Sequence, residues 1–306
     1  MREETLEILM ATYNGEKYLR EQLDSILAQD DSRWHLTVSD DGSTDGTASI
    51  LDSYVRMHPD KITRVFSGRR FGCAKAHFLW LLKQCDADYI AFSDQDDVLY
   101  SDKVRAMFSA LLQEEKKTTP AVPVLVYSDL EVVDGSLHTI HPSYTAMQGN
   151  NPEQISLPAI CFHNTVTGCA CCFNRALAEM VSCVENADSV TMHDHWLAMA
   201  AAAFGKTVYL NRPTIRYRQH GGNSVGAENV KTLSYWVGRL SGVRETVTGK
   251  KKQAAAFAAM YRDILSPEDA RFLEQFSLPR SGFMFYYSHR RFLPGLYRKM
   301  GFCLFG

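Results

Sequence analysis

Residues 89–97 read Tyr-Ile-Ala-Phe-Ser-Asp-Gln-Asp-Asp. A short apolar run of this kind fits a strand buried on both faces. It stops on three carboxylates within four residues, Asp94, Asp96 and Asp97. One acid could cap the helix expected to follow from Ser101, but capping does not need three. Like charges packed at a strand end repel one another, and a hard divalent cation such as Mg²⁺ or Mn²⁺ relieves that repulsion. Such ions take oxygen ligands and often bind through a few carboxylates together with substrate phosphates. A solvated acidic loop is the plainer reading of the same residues.

Working outward from this stretch, apolar runs alternate with helical periods from Leu6 to about Asp129. Leu6–Met10, Trp34–Ser39, Ile62–Phe66, Tyr89–Ser93 and Val122–Ser128 read as strands. Glu16–Ala28 sets Leu19, Leu23, Ile26 and Leu27 on one helical face, and further helices are expected from about Thr44, over Ala74–Leu82 and over Ser101–Leu112. This alternation predicts a mostly parallel sheet covered by helices on both sides, with ligands beyond the carboxyl ends of the strands. The period breaks near Asp129. Asp134-Gly135 suggests a turn between short antiparallel strands, and a polar loop from about His138 to Pro158 leads into a second half. That half is expected to carry helices around Ala176–Val184 and after Asp194, and paired strands near Thr207–Leu210 and Thr214–Arg218. The expected organisation is one α/β domain over 1–226, divided at about residue 130, and a mainly helical extension over 227–306.

Composition narrows the function. With 33 Lys and Arg against 35 Asp and Glu, the chain of 306 residues lacks the basic excess of a dedicated nucleic-acid binder. No stretch reaches the ~18 uncharged apolar residues of a membrane span, and the acidic start resembles no export signal. The 8 cysteines, with Cys171 and Cys172 adjacent, suit reduced and mostly buried thiols better than a disulfide framework or a zinc site. There is neither a Gly-x-Gly-x-x-Gly fingerprint nor a Gly-x-x-x-x-Gly-Lys-Ser/Thr phosphate loop.

Three more features lie at or beyond expected strand ends: Thr12-Tyr13-Asn14-Gly15, Asp40-Asp41-Gly42-Ser43-Thr44-Asp45-Gly46, and Asp194 within Met192-His193-Asp194-His195-Trp196. Each has an ordinary explanation as a cap or turn, and capping is the better one for Asp45.

In order, the segments TYNGEKYL, VSDDGSTDGT, GRRFGCAKAHF, FSDQDD, TGCACCFNR, HDHW and YRQHGGN resemble the family 2 glycosyltransferases, over about residues 5–226. Within that family the chain is most similar to bacterial rhamnosyltransferases of surface polysaccharide synthesis. The resemblance implies a GT-A-type nucleotide-sugar fold. It implies that Thr12, Tyr13, Asn14, Asp40, Asp41, Lys75 and Asp94 line the donor nucleotide pocket. Asp96, in the family's Asp-any-Asp motif, and His220 would serve the metal and diphosphate, with Mg²⁺ or Mn²⁺ as the cofactor. Gly168, Cys169, His195 and Trp196 would lie on the acceptor side, and Asp194 would be the catalytic base. His193 stands where the family commonly has Glu, and the Gln-any-any-Arg-Trp motif of processive synthases is absent.

Together these readings predict an inverting transfer of a sugar, best matched to L-rhamnose from a dTDP-linked donor, onto a glycan or lipid-linked oligosaccharide. UDP-hexose or UDP-N-acetylhexosamine donors are an alternative. A non-catalytic nucleotide- or glycan-binding protein and a nucleotidyltransferase are the other classes, and neither accounts for both a separate Asp194 and the segment TYNGEKYL. The basic and aromatic tail, from Lys250-Lys251-Lys252 to Phe283-Met284-Phe285-Tyr286-Tyr287 and Arg298-Lys299, has two readings. Its rings could pack on the domain or in a dimer contact, or they could sit at a membrane surface with cations facing lipid headgroups. The expected location is cytoplasmic, including the inner face of the membrane.

Overall fold

The computed structural model describes residues 4–153, 155–220, 240–279, 281, 283–292 and 302. The Gly221-Gly222-Asn223 end of the last quoted segment, the expected boundary at 226, Arg298-Lys299 and Cys303 lie outside the described residues.

Strands β1 (Leu6–Thr12), β2 (Trp34–Asp40), β3 (Ile62–Val65) and β4 (Tyr89–Ser93) form the parallel half of the sheet, in the order β3-β2-β1-β4. Between them run α1 (Leu19–Leu27), α2 (Thr47–Met57) and α3 (Ala74–Lys83). Strand side chains alternate between two cores, as a period of two requires. Leu6, Ile8 and Met10 face one core with α1 and α2, whereas Leu9, Ile90 and Phe92 face the other with α3. Register then fixes the site: Thr12 lies opposite Asp40, and Met10 opposite Ser93. The ends of β1 and β2 are level, and β4 stops two residues earlier, so Tyr13 and Asp41 emerge side by side with the loop that starts at Asp94 next to them.

The second half is mixed. After β5 (Val98–Leu99) and α4 (Lys103–Lys117), β6 (Val124–Val133) turns at Asp134 into β7 (Thr139–His141), which pairs with it antiparallel, as the Asp-Gly dipeptide suggested. The polar loop expected over 138–158 contains β7 and α5 (Tyr144–Gln148), and α6 (Leu157–Phe162) begins at its end. Strand β8 (Cys171–Asn174) pairs antiparallel with both β4 and β6. It follows a 3₁₀ turn, Gly168–Ala170, and precedes α7 (Arg175–Ser182) and α8 (His193–Phe204). The two strands expected near 207–210 and 214–218 are one, β9 (Lys206–Arg218), parallel to β6. The register shift opposite Asp129, where Pro213 interrupts the ladder, accounts for the apparent break.

The tail helices α9 (Leu240–Met260), α10 (Pro267–Ser277) and α11 (Phe283–Ser288) pack on the same core as α3, α7 and α8. Phe257, Phe276 and Tyr286 are buried, and the Phe162 ring lies within 6.4 Å of Phe272, Phe276, Phe285, Tyr286, Phe292 and Phe302. Among the described residues, packing is therefore the role of most of the tail's aromatic rings, while Met284 and Tyr287 stay exposed, Tyr287 under the Arg290 guanidinium. No described helix is long and apolar enough to cross a membrane.

Candidate active site

The loop after β1 and the loop after β4 are tied by one side chain. Gln95 accepts from the Tyr13 backbone N–H at 2.9 Å and donates to the Tyr13 carbonyl at 3.0 Å. A Cβ at position 15 would come within 2.4 Å of the Gln95 amide oxygen, so a side chain there would push Gln95 out of this tie. Asn14 holds a left-handed backbone (φ 47°) and joins the loop after β2: its N–H donates to Ser43 and its side-chain oxygen accepts from the Thr44 N–H.

The acids after β2 divide into three tasks. Asp40 accepts from the Thr12 hydroxyl and from Ser43. Asp41, nearly buried, accepts from the backbone N–H groups of Phe71 and Gly72 and so anchors the loop carrying Arg69 and Arg70. Asp45 accepts from the N–H and hydroxyl of Thr47, the first residue of α2, but from one position before the cap residue, which is Gly46. The Arg70 guanidinium lies 4.6 Å from the centre of the exposed Tyr13 ring, a cation beside this loop that the sequence did not single out.

At the acid loop Asp96 points toward His220, with Oδ2 and Nε2 2.8 Å apart. The His220 ring lies on Tyr18, centroids 4.8 Å apart. Asp97 turns inward. One of its oxygens accepts from the Arg218 N–H at 3.0 Å, and the other is buried without a protein partner among the described residues. Arg218 is itself buried and ties this loop to the rest of the molecule, donating to the Asp96 carbonyl, the Gly135 carbonyl and Glu21. The antiparallel pairing of β5 with β9 delivers Arg218 there.

Asp94 is half-buried and faces two neighbours. Asp94, Asp97 and the Cys169 thiol have ligand atoms within 4.8 Å of one another. Burial, together with the charges of Asp96 and Asp194, raises the Asp94 carboxyl to about 7. Burial also holds Cys169 well above the usual thiol range, so it is a protonated thiol and a poor ligand for a hard cation. The carboxylates and His220 do suit Mg²⁺ or Mn²⁺. Asp96 and His220 already converge and Asp94 lies on the same loop, while burial beside Asp94 and Asp96 holds the Asp97 carboxyl well above the usual carboxylate range.

Asp194 occupies the first turn of α8, where the helix dipole favours an anion. It accepts from the Gly168 N–H at 3.0 Å and from the Asn164 side chain at 3.2 Å. Burial raises its carboxyl to about 6 despite those donors. The antiparallel run of β8 against β4 brings Gly168 and Cys169 to the end of the sheet where Asp94 lies. That dipeptide therefore touches both groups: Gly168 through its N–H to Asp194, Cys169 through its thiol to Asp94 and Asp97.

Not every expected residue reaches the cleft. Trp196 is fully buried and its indole donates to Tyr261, so it serves the core rather than an acceptor. His195 is buried and donates to the Ile160 carbonyl at 2.8 Å, and burial lowers it to about 3. The Cys169 thiol turns inward to the acids. Lys75, expected beside the nucleotide, donates instead to the Val190 carbonyl at 2.7 Å. His193 is held between Phe78 and Phe92, at 4.3 and 5.0 Å, with both ring nitrogens unpartnered among the described residues; burial lowers it to about 3. It is neutral, and it is not a charged substitute for the family's Glu.

The sequence model of Glycosyl transferase family 2 matches residues 7–179. The dTDP-rhamnosyl transferase RfbG of Shigella flexneri is 32% identical over 71% of this chain and 74% of its own length. An uncharacterized glycosyltransferase of Nostoc sp. is 26% identical over 72% of this chain and 66% of that protein, just under two thirds. Among solved structures, S. aureus TarS in complex with UDP-GlcNAc superposes with a TM-score of 0.62 at 16% identity, covering 97% of this chain and 78% of that one. That likeness supports the GT-A-type fold.

Proposed function

This chain belongs to glycosyl transferase family 2, and from that premise we propose that it transfers L-rhamnose from a dTDP-linked donor, with inversion, onto a glycan or lipid-linked oligosaccharide. The observation that carries the reading is the placing of Asp194. It sits on a different element from the acid loop, yet it is joined to that loop through Gly168 and Cys169. The choice of rhamnose rests on the likeness to the Shigella protein.

Transfer makes three demands. Charge developing on the leaving diphosphate must be stabilised, the acceptor hydroxyl must lose a proton, and the anomeric carbon must lie in line between them. Mg²⁺ or Mn²⁺ held by Asp96 with His220 would supply Lewis acidity at the diphosphate. Tyr13, Asn14, Asp40, Asp41 and Asp94 surround the place for nucleotide and ribose, with Arg70 as an added cation. Asp194 takes the proton: a carboxyl near 6 is ionised at neutral pH yet basic enough to help. With Asp194 as the one base and Asp94 given to the donor nucleotide, direct displacement is the mechanism proposed.

The test is a donor panel of dTDP-rhamnose, UDP-glucose, UDP-galactose and UDP-N-acetylglucosamine with the purified protein, reading released nucleoside diphosphate with and without acceptor. Preference for dTDP-rhamnose is expected. Preference for a UDP-sugar would move the donor assignment, and binding without turnover would leave only a nucleotide-sugar-binding protein.

A further inference from the structure

The segment leading into Asp194 is gripped by two side chains that the transfer reaction does not use. Lys75, on α3, donates from Nζ to the Val190 carbonyl at 2.7 Å. Gln253, on α9 in the tail, accepts from the Thr191 N–H at 2.6 Å and donates to the Met199 sulfur at 3.2 Å. Gln253 is 1% exposed, and Val190 is also 1% exposed. Consecutive backbone groups, one carbonyl and one N–H, are thus held from opposite ends of the chain. Two residues farther on, α8 begins at His193 without a side-chain cap.

Such partners fill a structural need. The strand-like residues Val190 and Met192 lie outside any sheet ladder, and buried backbone groups that lack a partner are costly. An apolar contact would bury this segment without fixing its height along α8. Hydrogen bonds fix it in two directions, and the position of the base follows from it. Asp194 reaches the Gly168 N–H at 3.0 Å and Asn164 at 3.2 Å only while that first turn stays where it is. General-base catalysis tolerates little displacement.

We infer that Gln253 and Lys75 are positioning residues for Asp194, and that the tail helix α9 is part of the catalytic apparatus through Gln253. The inference rests on the reading of Asp194 as the base. It assigns no contact with substrate to either residue.

The experiment uses the full chain and whichever nucleotide sugar of the donor panel turns over. Gln253→Met keeps the side-chain volume but removes the acceptor for Thr191. Lys75→Met removes the donor to Val190, and Lys75→Arg restores one. Turnover is expressed per donor-binding site, so that unfolded protein drops out of the comparison. Each Met variant is expected to lower kcat at least tenfold with donor KM within twofold of native, and Lys75→Arg is expected to recover most of the loss. The low-pH limb of kcat should also move upward, because a base slipping from the Gly168 N–H loses a donor that favours its ionised form. Asp194→Asn is measured in parallel. If it abolishes transfer while both Met variants keep native kcat and a native pH limb, the inference is overturned and the base reading stands. If Asp194→Asn transfers at the native rate, the base reading fails and the inference falls with it.

Discussion

His220 Nε2 lies 2.8 Å from Asp96 Oδ2, although 124 residues of chain separate them. The contact exists because β9 runs the length of β6 and ends at Arg218, whose backbone N–H and guanidinium fasten it to the acid loop. An imidazole and a carboxylate at this distance form a ready pair of donors for a divalent ion, and a hydrogen-bonded pair without one.

With the metal role proposed above, Mn²⁺ is expected to raise the melting temperature of the native protein, and Asp96→Ala to abolish that rise and cost orders of magnitude in turnover. His220→Ala should weaken the Mn²⁺ dependence in the same direction, but less. Steady-state rates and thermal melts across a Mn²⁺ titration check both, and full native turnover in excess chelator would refute the metal assignment.

Replacing Asp194 with Asn keeps the shape and removes the proton acceptor. A kcat lower by ~10²–10⁴-fold is expected, with donor affinity unchanged. The native enzyme should show a rate that falls as the pH drops through about 6, since protonation of Asp194 removes the base. That limb should be missing from the residual activity of the Asn variant. A native pH profile in Asp194→Asn would place the base elsewhere.

At Gly168 an added Cβ would lie 2.9 Å from the His193 ring nitrogen and 3.5 Å from the Asp194 Cβ. His193 cannot yield easily, because Phe78 and Phe92 hold its ring. Gly168→Ala should therefore cost about 1–3 kcal/mol of stability by overpacking, with a larger loss in kcat than in donor binding. Chemical denaturation and a donor titration on the same sample separate the two.

The tail makes a different demand. Phe257 is 0% exposed and packs on Trp196, Phe204 and Tyr261. Phe257→Ala should cost ~3–5 kcal/mol, seen as a lower denaturant midpoint for a transition that includes the Trp196 environment. An unchanged midpoint for the Trp signal would mean that the tail folds apart from the domain.

Much of this was readable from residue order, and the limits have a physical cause. The strands of the parallel half and the acid loop announce themselves through local patterns: apolar runs, helical periods and carboxylates where a strand stops, whereas Asp194 stood out through the family resemblance. Strand β8 was hidden inside TGCACCFNR, because four residues give too short a run to tell strand from loop, although Ala-Cys-Cys-Phe was the available signal. A proline in an irregular stretch made β9 look like two strands. Arg218, Asn164 and Gln253 carried no signal, since their partners lie 121, 30 and 62 residues away. Trp196 and His195 misled for the complementary reason: a residue adjacent to Asp194 in a helix need not share its face.

Five of the cysteines, at 85, 161, 169, 171 and 172, are buried, whereas Cys73 and Cys183 are exposed. Burial raises the thiols at 85, 161, 169, 171 and 172, so they resist the alkylating and oxidising reagents that act on thiolates. Cys73 ends the loop that Asp41 anchors through Phe71 and Gly72, the same loop whose Arg70 lies over Tyr13. With Cys183 replaced by Ser, a maleimide fluorophore would have Cys73 as its target among the described residues, and its emission would follow the arrival of the nucleotide sugar without a substitution at any acid or base of the cleft.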